Sequence, residues 1–336
     1  MNTGQQTYEP SPARYDGTMQ YRRCGHSGVL LPALSLGFWH NFGTVTPEPQ
    51  SRAIVRAAFD VGITHFDLAN NYGPEPGAAE QRLGRFLHDD FAAHRDEIFI
   101  ATKAAYDMWD GPYGSWASRK HLMTSLDQSL RRLKLDYVDL FYCHRYDPAT
   151  PLEETLQALV DIVRSGRALY IGISRWPKDA AEIGYRYLNN HDVPCLIYQG
   201  RLNLFDRDVL SQSILPSAYA SGVGFISFSP LAQGLLTDRY LHGIPADSRM
   251  ARDPRFLKAE ALTPDVLARI RGLNDIAARR GEALATMALS WILHHSEVTS
   301  VIVGASSPEQ LRRNLACLNS PAFSAEELEQ INKILE

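Results

Sequence analysis

The chain has 336 residues, with 34 Lys and Arg against 38 Asp and Glu, a formal net charge of −4 that excludes a nucleic-acid binder recognised by charge. Hydrophobic residues at 45% and charged residues at 21% exclude an intrinsically disordered chain and leave apolar material for a large core. The four cysteines, Cys24, Cys143, Cys195 and Cys317, are 119, 52 and 122 residues apart, which predicts free thiols in a reducing compartment and no zinc knuckle. The polar start lacks the apolar segment of a signal peptide, and no apolar run is long enough to span a bilayer, so the protein is expected to be soluble and cytoplasmic.

Residues 1–18 are rich in Pro, Gly, Gln and Thr without periodicity and read as a loose arm. From Met19 two short runs around Gly25 to Gly28 suit a β-hairpin. Eight short apolar runs follow, each suited to a strand buried on both faces: Leu34 to Gly37, Thr64 to Asp67, Ile98 to Lys103, Val138 to His144, Leu169 to Ser174, Cys195 to Gln199, Gly224 to Ser229 and Ser300 to Gly304. Amphipathic helices separate them. In Arg119 to Lys134, Leu122, Leu126, Leu130 and Leu133 share one face, as do Leu284, Met287, Ala288, Trp291 and Ile292 further on. Thr150-Pro151-x-Glu153, Ser307-Pro308-x-Gln310 and Ser324-x-x-Glu327 predict capped helix starts.

Eight strand and helix alternations predict a single α/β domain over 19–336, a closed parallel (β/α)8 barrel preceded by the hairpin. An open doubly wound sheet is the alternative, but no Gly-x-Gly-x-x-Gly occurs to open it. The stretch Leu231 to Pro264 reads as a long flexible flap after the seventh barrel strand.

In such a barrel, the polar residues that end each strand face the active-site mouth. They are Asp67, Lys103, His144, Ser174, Gln199 and Ser229, with Tyr72 in the loop after the first of them. Each has a plain structural reading: a capped loop, a solvated strand end, a satisfied core histidine. Together they suit proton transfer, because an ammonium beside a phenol lowers its pKa and Asp67 can hold Lys103 in place. Tyr72 would then protonate a carbonyl oxygen, with His144 as a second donor. On the rim, His65 and Asp67 form the one close His and carboxylate pair, too little for a metal site, so no metal is expected.

The set Asp67, Tyr72, Lys103, His144, with GITHFDLANNYG around its first pair, resembles the catalytic tetrad of the aldo-keto reductase superfamily, and the similarity runs from Met19 to about Leu335. LPALSLGFWHNFG, THFDLANNYGPEPG, YDMWDGPYGS, LAQGLLTDRYLHGIPADSRM and TSVIVGAS resemble the branch of the bacterial L-glyceraldehyde 3-phosphate reductases. Gly172 to Trp176 and Ser229 to Ala232 resemble motifs of the potassium-channel beta subunits, where asparagine stands at the histidine position that His144 keeps here.

The resemblance implies NADPH lying extended across the mouth. Ser174, Arg175 and Gln199 would meet its nicotinamide carboxamide side, with Phe228 stacked on the ring and Trp39 and Asp67 beside it. Ser229, Pro230, Leu231 and Gly234 would line the path of the dinucleotide, with Arg239 and Arg249 clamping its phosphates. Gly304, Ser306, Gln310 and Asn314 would take the adenosine end at a helix N-terminus, Gln310 having a second reading as the capping-box partner of Ser307. Arg313 stands where the beta subunits have a glutamate. Trp39, His40, Met108 and Trp109 would form the substrate pocket with Tyr72, and Arg145 or Arg22 is open as a partner for a substrate phosphate. The implied activity is NADPH-dependent reduction of small aldehydes such as L-glyceraldehyde 3-phosphate or methylglyoxal by a homo-oligomer, tetramer or octamer. The alternative is a redox-sensing regulatory subunit.

Overall fold

The computed structural model describes residues 8–73, 75–246, 248–252 and 257–336, without the side chains of Arg249 and Arg252. A hairpin of β1 (Tyr21–Arg23) and β2 (Leu30–Pro32) precedes eight parallel strands, which are β3 (Leu34–Gly37), β4 (His65–Asp67), β5 (Phe99–Ala104), β6 (Val138–Cys143), β7 (Ala168–Ser174), β8 (Cys195–Arg201), β9 (Gly224–Phe228) and β10 (Val298–Val303). They close in chain order, β10 pairing with β3, into a barrel. Each expected strand is present, shifted by a residue or two at its ends.

Helices α1 (Glu48–Asp60), α2 (Ala78–Asp89), α3 (Arg119–Leu133), α4 (Leu152–Arg164), α5 (Lys178–Asn190), α6 (Asp208–Ser211), α7 (Ile214–Ala220), α8 (Arg249–Arg252), α9 (Pro264–Arg279), α10 (Leu284–His294), α11 (Pro308–Asn314) and α12 (Ala325–Leu335) complete the fold. The apolar stripes expected on α3 and α10 are buried against the strands. Ser307 caps α11, and Ser324 with Glu327 forms the reciprocal box at the start of α12. Thr150 is a correction: α4 begins one residue later, behind Pro151, and the Thr150 hydroxyl donates to Asp147 Oδ2 at 2.6 Å.

Strand alternation divides the core in two. Ile100, Phe141, Ile171 and Phe225 face the helices, whereas Ala101, Leu140, Tyr142, Ile197, Ile226 and Ile302 fill the barrel interior. Cys24 and Leu31 of the hairpin segment join that inner cluster and close the floor. The fit is tight enough to require glycine: a Cβ on Gly172 would stand 2.6 Å from the Tyr142 ring. His65 also belongs to the interior, where its Nδ1 meets Ser35 Oγ at 2.8 Å and Ser35 meets Ser300 Oγ at 2.6 Å. Burial pushes its imidazole down to about 4. All four cysteines are buried free thiols.

Two segments read as loose make specific contacts among the described residues. The arm is held down from Tyr8 onward, where the Tyr8 hydroxyl and Ser11 N–H both donate to Asp60 Oδ1 at 2.8 Å, and Arg14 pairs with Glu97 at 2.9 Å. The described part of the excursion after β9 buries Leu235, Leu236, Tyr240, Met250 and Leu257, so it is anchored by its apolar residues.

Candidate active site

The period-2 alternation that sends His65 inward sends Asp67 inward too, one step nearer the mouth. By the same count the topmost inward positions are Gly37, Asp67, Lys103, His144, Ser174, Gln199, Phe228 and Gly304. Lys103 is fully buried and Asp67 nearly so, at 0% and 2% exposure, conditions under which a charge must be paired. They pair with each other, Lys103 Nζ to Asp67 Oδ2 at 2.6 Å, and the ammonium donates a second bond to the Leu68 carbonyl at 2.5 Å. The other carboxylate oxygen, Oδ1, accepts from Gln199 Nε2 at 2.9 Å. Sequence reading set Gln199 against a cofactor carboxamide. In the fold its amide also braces the carboxylate from across the barrel.

The loop after β4 returns Tyr72 over this pair. Tyr72 N–H donates to Ala69 O at 3.1 Å and Gly73 N–H to Trp39 O at 3.1 Å, with Gly73 at φ +90° in the left-handed region that glycine occupies without strain. The Tyr72 ring centroid then lies 4.9 Å from Lys103 Nζ and 5.7 Å from the His144 ring, edge to face. His144 continues the β6 ladder, its N–H donating to Ala104 O at 2.9 Å.

The electrostatics differ from the expected scheme in one respect. Burial, then Asp67 and Tyr106, hold the Tyr72 phenol well above its ordinary value, with Arg175 opposing. The Lys103 ammonium, paired with Asp67, does not offset this rise in the free site. Burial lowers the Lys103 ammonium and the Asp67 carboxylate pulls it back up. Burial, with the cations Lys103, Arg175 and Arg145, drives His144 well below the usual imidazole range, so it is neutral near pH 7. Its Nδ1 is buried without a hydrogen-bond partner among the described residues, as is Ser174 Oγ.

Sequence reasoning missed Tyr106. It lies three residues past Lys103, beyond Ala105, whose φ of 139° turns the chain inward. Its ring packs on His144 at 4.7 Å, edge to face, and its hydroxyl meets Arg175 Nη1 at 3.3 Å. Arg145 is a rim residue, with Nε donating to Ala105 O at 3.0 Å, Nη2 to Ser115 Oγ at 2.9 Å, and the guanidinium 3.7 Å from the Trp116 ring centre. Arg22 is at the opposite end, its Nη1 donating to Leu293 O and Val298 O at 3.0 Å in the floor. It does not reach the mouth.

Of the expected pocket, Trp39 and His40 pack edge to face at 4.2 Å beside the Tyr72 loop. Trp109 lies on the ring of His121 at 5.0 Å, in the first turn of α3, and Met108 N–H donates to Gly114 O at 2.9 Å. Trp109 is thus turned onto α3, and Met108 is tied to its own loop through its backbone. At the far rim Gln310 Oε1 accepts from Ser306 N and Oγ, both at 2.8 Å, and Ser307 Oγ accepts the Gln310 N–H at 3.2 Å. Gln310 thus shapes the turn before α11 while Ser307 caps it, and Asn314 Nδ2 is buried without a partner among the described residues. Gly304 has open space where a Cβ would stand, and Ser229 at φ 53° turns the chain out of β9 toward Pro230, Leu231 and Gly234. Arg239 is exposed on the excursion, Arg313 is exposed on α11, and the Arg249 side chain lies outside the described residues.

Residues 33–336 match the family model described as the aldo/keto reductase family. Over 328 residues the chain is 55% identical to an L-glyceraldehyde 3-phosphate reductase of Escherichia coli O157:H7, covering 96% of this chain and 94% of that protein. The protein of the same name from E. coli strain K12 is 54% identical over the same shares. A probable voltage-gated potassium channel subunit beta of Oryza sativa subsp. japonica is 35% identical over 322 residues, 95% of this chain and 97% of that one. With a closed eight-stranded barrel and this rim chemistry, the chain is an oxidoreductase belonging to the aldo/keto reductase family.

Proposed function

We propose that the chain reduces small aldehydes, L-glyceraldehyde 3-phosphate and methylglyoxal among them, to alcohols, using NADPH and Tyr72 as the general acid. The observation that carries this reading is the assembly of buried Asp67, Lys103 and His144 with half-buried Tyr72, on three strand ends and one loop. A nicotinamide bound across the mouth would supply the hydride. The fit of such a group rests on the unpartnered Ser174 Oγ, suited to a carboxamide, the partly buried Phe228 face, and the open space over Gly304.

The chain's own residues then have distinct tasks. A phenol held above its ordinary pKa keeps its proton at neutral pH and releases it only as negative charge grows on the carbonyl oxygen. The Lys103 ammonium, fixed by Asp67 and Leu68 O, stabilises the phenolate that remains. Neutral His144 offers a hydrogen bond to the same oxygen. Arg239, Arg249, Ser306, Gln310 and Asn314 would hold the phosphate and adenosine end, and Arg313, exposed on α11, would offer positive charge to a 2′-phosphate and so favour NADPH over NADH. The remaining contacts are assigned to Trp39, Arg175, Gln199, Ser229, Pro230, Leu231 and Gly234, with His40, Met108 and Trp109 at the edge of the substrate pocket.

No helix among the described residues is long and apolar enough to cross a membrane. We extend the proposal, on the four buried free thiols, to a cytoplasmic setting, and to a homo-oligomer. The test follows NADPH absorbance with L-glyceraldehyde 3-phosphate, methylglyoxal and 4-nitrobenzaldehyde. Oxidation by the wild type that falls about 10³-fold in Tyr72→Phe, with NADPH still bound, is expected. Tight NADPH binding without turnover of any of the three would instead favour a redox-sensing subunit, the role suggested by the beta-subunit relatives.

A further inference from the structure

We propose that Tyr106 is a positioning residue of the reduction: its ring holds the His144 imidazole in the orientation from which it donates to the carbonyl oxygen. This rests on the function proposed above and adds the group through which His144 is aimed. A histidine that presents one ring nitrogen to a substrate is ordinarily fixed by a hydrogen bond at the other. His144 makes no such bond among the described residues, its Nδ1 being buried without a partner. Two phenol rings pack on it instead, Tyr72 at 5.7 Å and Tyr106 at 4.7 Å, with interplanar angles of 71° and 83°. Edge-to-face packing has a preferred angle, so it opposes rotation of the imidazole about its own side-chain bond. Tyr72 is the proton donor of the proposed reaction. Tyr106 is the nearer ring and has no proton to supply in that scheme, which leaves it the task of orientation.

Tyr106 is itself held by a clamp at the base of its loop. Ala105 and Trp116 take φ of 139° and 67°, positive values that side chains of L residues rarely adopt, so the backbone is strained at both ends of this stretch. Such strain persists only where the surroundings over-determine it. Here the two ends are tied together, since Trp116 N–H donates to Ala105 O at 3.0 Å and Arg145 Nε donates to the same oxygen at 3.0 Å. Arg145 is the residue after His144, so the clamp is built on the strand end that carries the imidazole. Its guanidinium lies 4.4 Å from the Tyr106 ring centre and 3.7 Å from that of Trp116, and Nη2 donates to Ser115 Oγ at 2.9 Å. The Tyr106 hydroxyl points elsewhere, accepting a long bond from Arg175 Nη1 at 3.3 Å. Tyr106 therefore meets His144 through its ring.

The experiment is a double-mutant cycle on turnover of the most active of the three aldehydes above, with Tyr106→Phe, Tyr106→Leu and Tyr106→Met each made in the wild type and in His144→Ala. Leucine and methionine fill the volume without a flat ring, and NADPH binding followed by protein fluorescence identifies the variants that fold. Removing a donor to a developing oxyanion costs about 10²- to 10³-fold in kcat, so a donor left in place but misaimed should cost less. Tyr106→Leu and Tyr106→Met should each lower kcat about 10- to 100-fold without weakening NADPH binding, whereas Tyr106→Phe, which keeps the ring, should retain most of the wild-type rate. In His144→Ala there is no imidazole left to aim, and the same leucine or methionine replacement should cost less than about 2-fold. Equal losses in the two backgrounds would overturn the assignment, since a residue that only props the loop or lines the pocket acts whether or not His144 is present. So would a full kcat in Tyr106→Leu, or a loss in Tyr106→Phe as large as in Tyr106→Leu, which would transfer the effect to the hydroxyl. Each of these outcomes leaves the reductase reading standing. A wild type that reduces none of the aldehydes would remove the proposed function and this inference with it.

Discussion

Asp67→Asn isolates what the buried carboxylate contributes. The replacement keeps the shape and removes the charge opposite Lys103, an ammonium at 0% exposure whose described bonds are to Asp67 Oδ2 and Leu68 O. Breaking a buried pair from one side costs about 3–5 kcal/mol, because the surviving charge is left in a medium that does not solvate it. Asparagine can still accept one bond through its own oxygen, which puts the expected loss near the lower end, about 3 kcal/mol. Lys103 has a second response. Burial already lowers its pKa and Asp67 is the main influence opposing that, so without the carboxylate it deprotonates at lower pH. Less of the enzyme then holds the ammonium that stabilises the phenolate of Tyr72. The measurement is urea unfolding followed by tryptophan fluorescence, together with kcat as a function of pH for both proteins. Asp67→Asn should show the lost stability, a kcat reduced about 10²-fold or more, and an alkaline limb moved toward lower pH. A stability loss under about 1 kcal/mol with an unmoved alkaline limb would refute the reasoning that Asp67 keeps Lys103 charged.

Two further predictions follow from buried titratable groups. Burial raises the thiols of Cys143, Cys195 and Cys317 to about 12, while in the unfolded chain they titrate near 8.5. Their contribution is complete below about pH 8.5 and declines as pH rises toward about 12, so equilibrium unfolding should show stability falling steadily from about pH 8.5 upward, and replacing Cys143 with alanine should make that slope shallower. His65 behaves in the opposite direction: with its imidazole lowered to about 4, its neutral form contributes stability that is full above about pH 6.5 and gone below about 4. A His65→Gln protein should lose less stability than the wild type between those values, and parallel curves would exclude His65 as the source.

The barrel was legible because its strands are short and apolar on both faces, a pattern that only covered parallel strands need, and because each is followed by an amphipathic helix. The catalytic candidates were legible for a related reason. A titratable residue ending an apolar run has nowhere to point but the mouth, which singled out Asp67, Lys103 and His144. What the sequence hid is contact across the barrel and within loops. The bond from Gln199 to Asp67 joins residues 132 apart, and the barrel must close before they meet. Tyr106 sits in a loop, where periodicity carries no information, and its approach to His144 depends on the unusual φ of Ala105. The arm showed no periodicity from which to read its attachment, since it is held by individual polar bonds to Asp60 and Glu97 rather than by an apolar stripe. Thr150 lost its expected capping role because α4 begins one residue later, and its hydroxyl donates to Asp147 instead.

The floor of the barrel bears on how the protein is made. Arg22 bonds to carbonyls 271 and 276 residues further along the chain, His26 N–H donates to Gly222 O at 2.8 Å, and Cys24 packs among side chains of β8, β9 and β10. The hairpin leaves the ribosome before the surfaces that receive it, which lie up to 276 residues further along the chain. Until β10 emerges and closes against β3, Cys24 and Leu31 have no finished interior to enter, and the parallel strands already made expose unpaired edges. Fixing β1 and β2 to β10 makes closure of the barrel and sealing of its base late, coupled events, giving a slow folding step of high contact order in which loss of β10 would expose apolar surface both on the hairpin and on the strands that receive it.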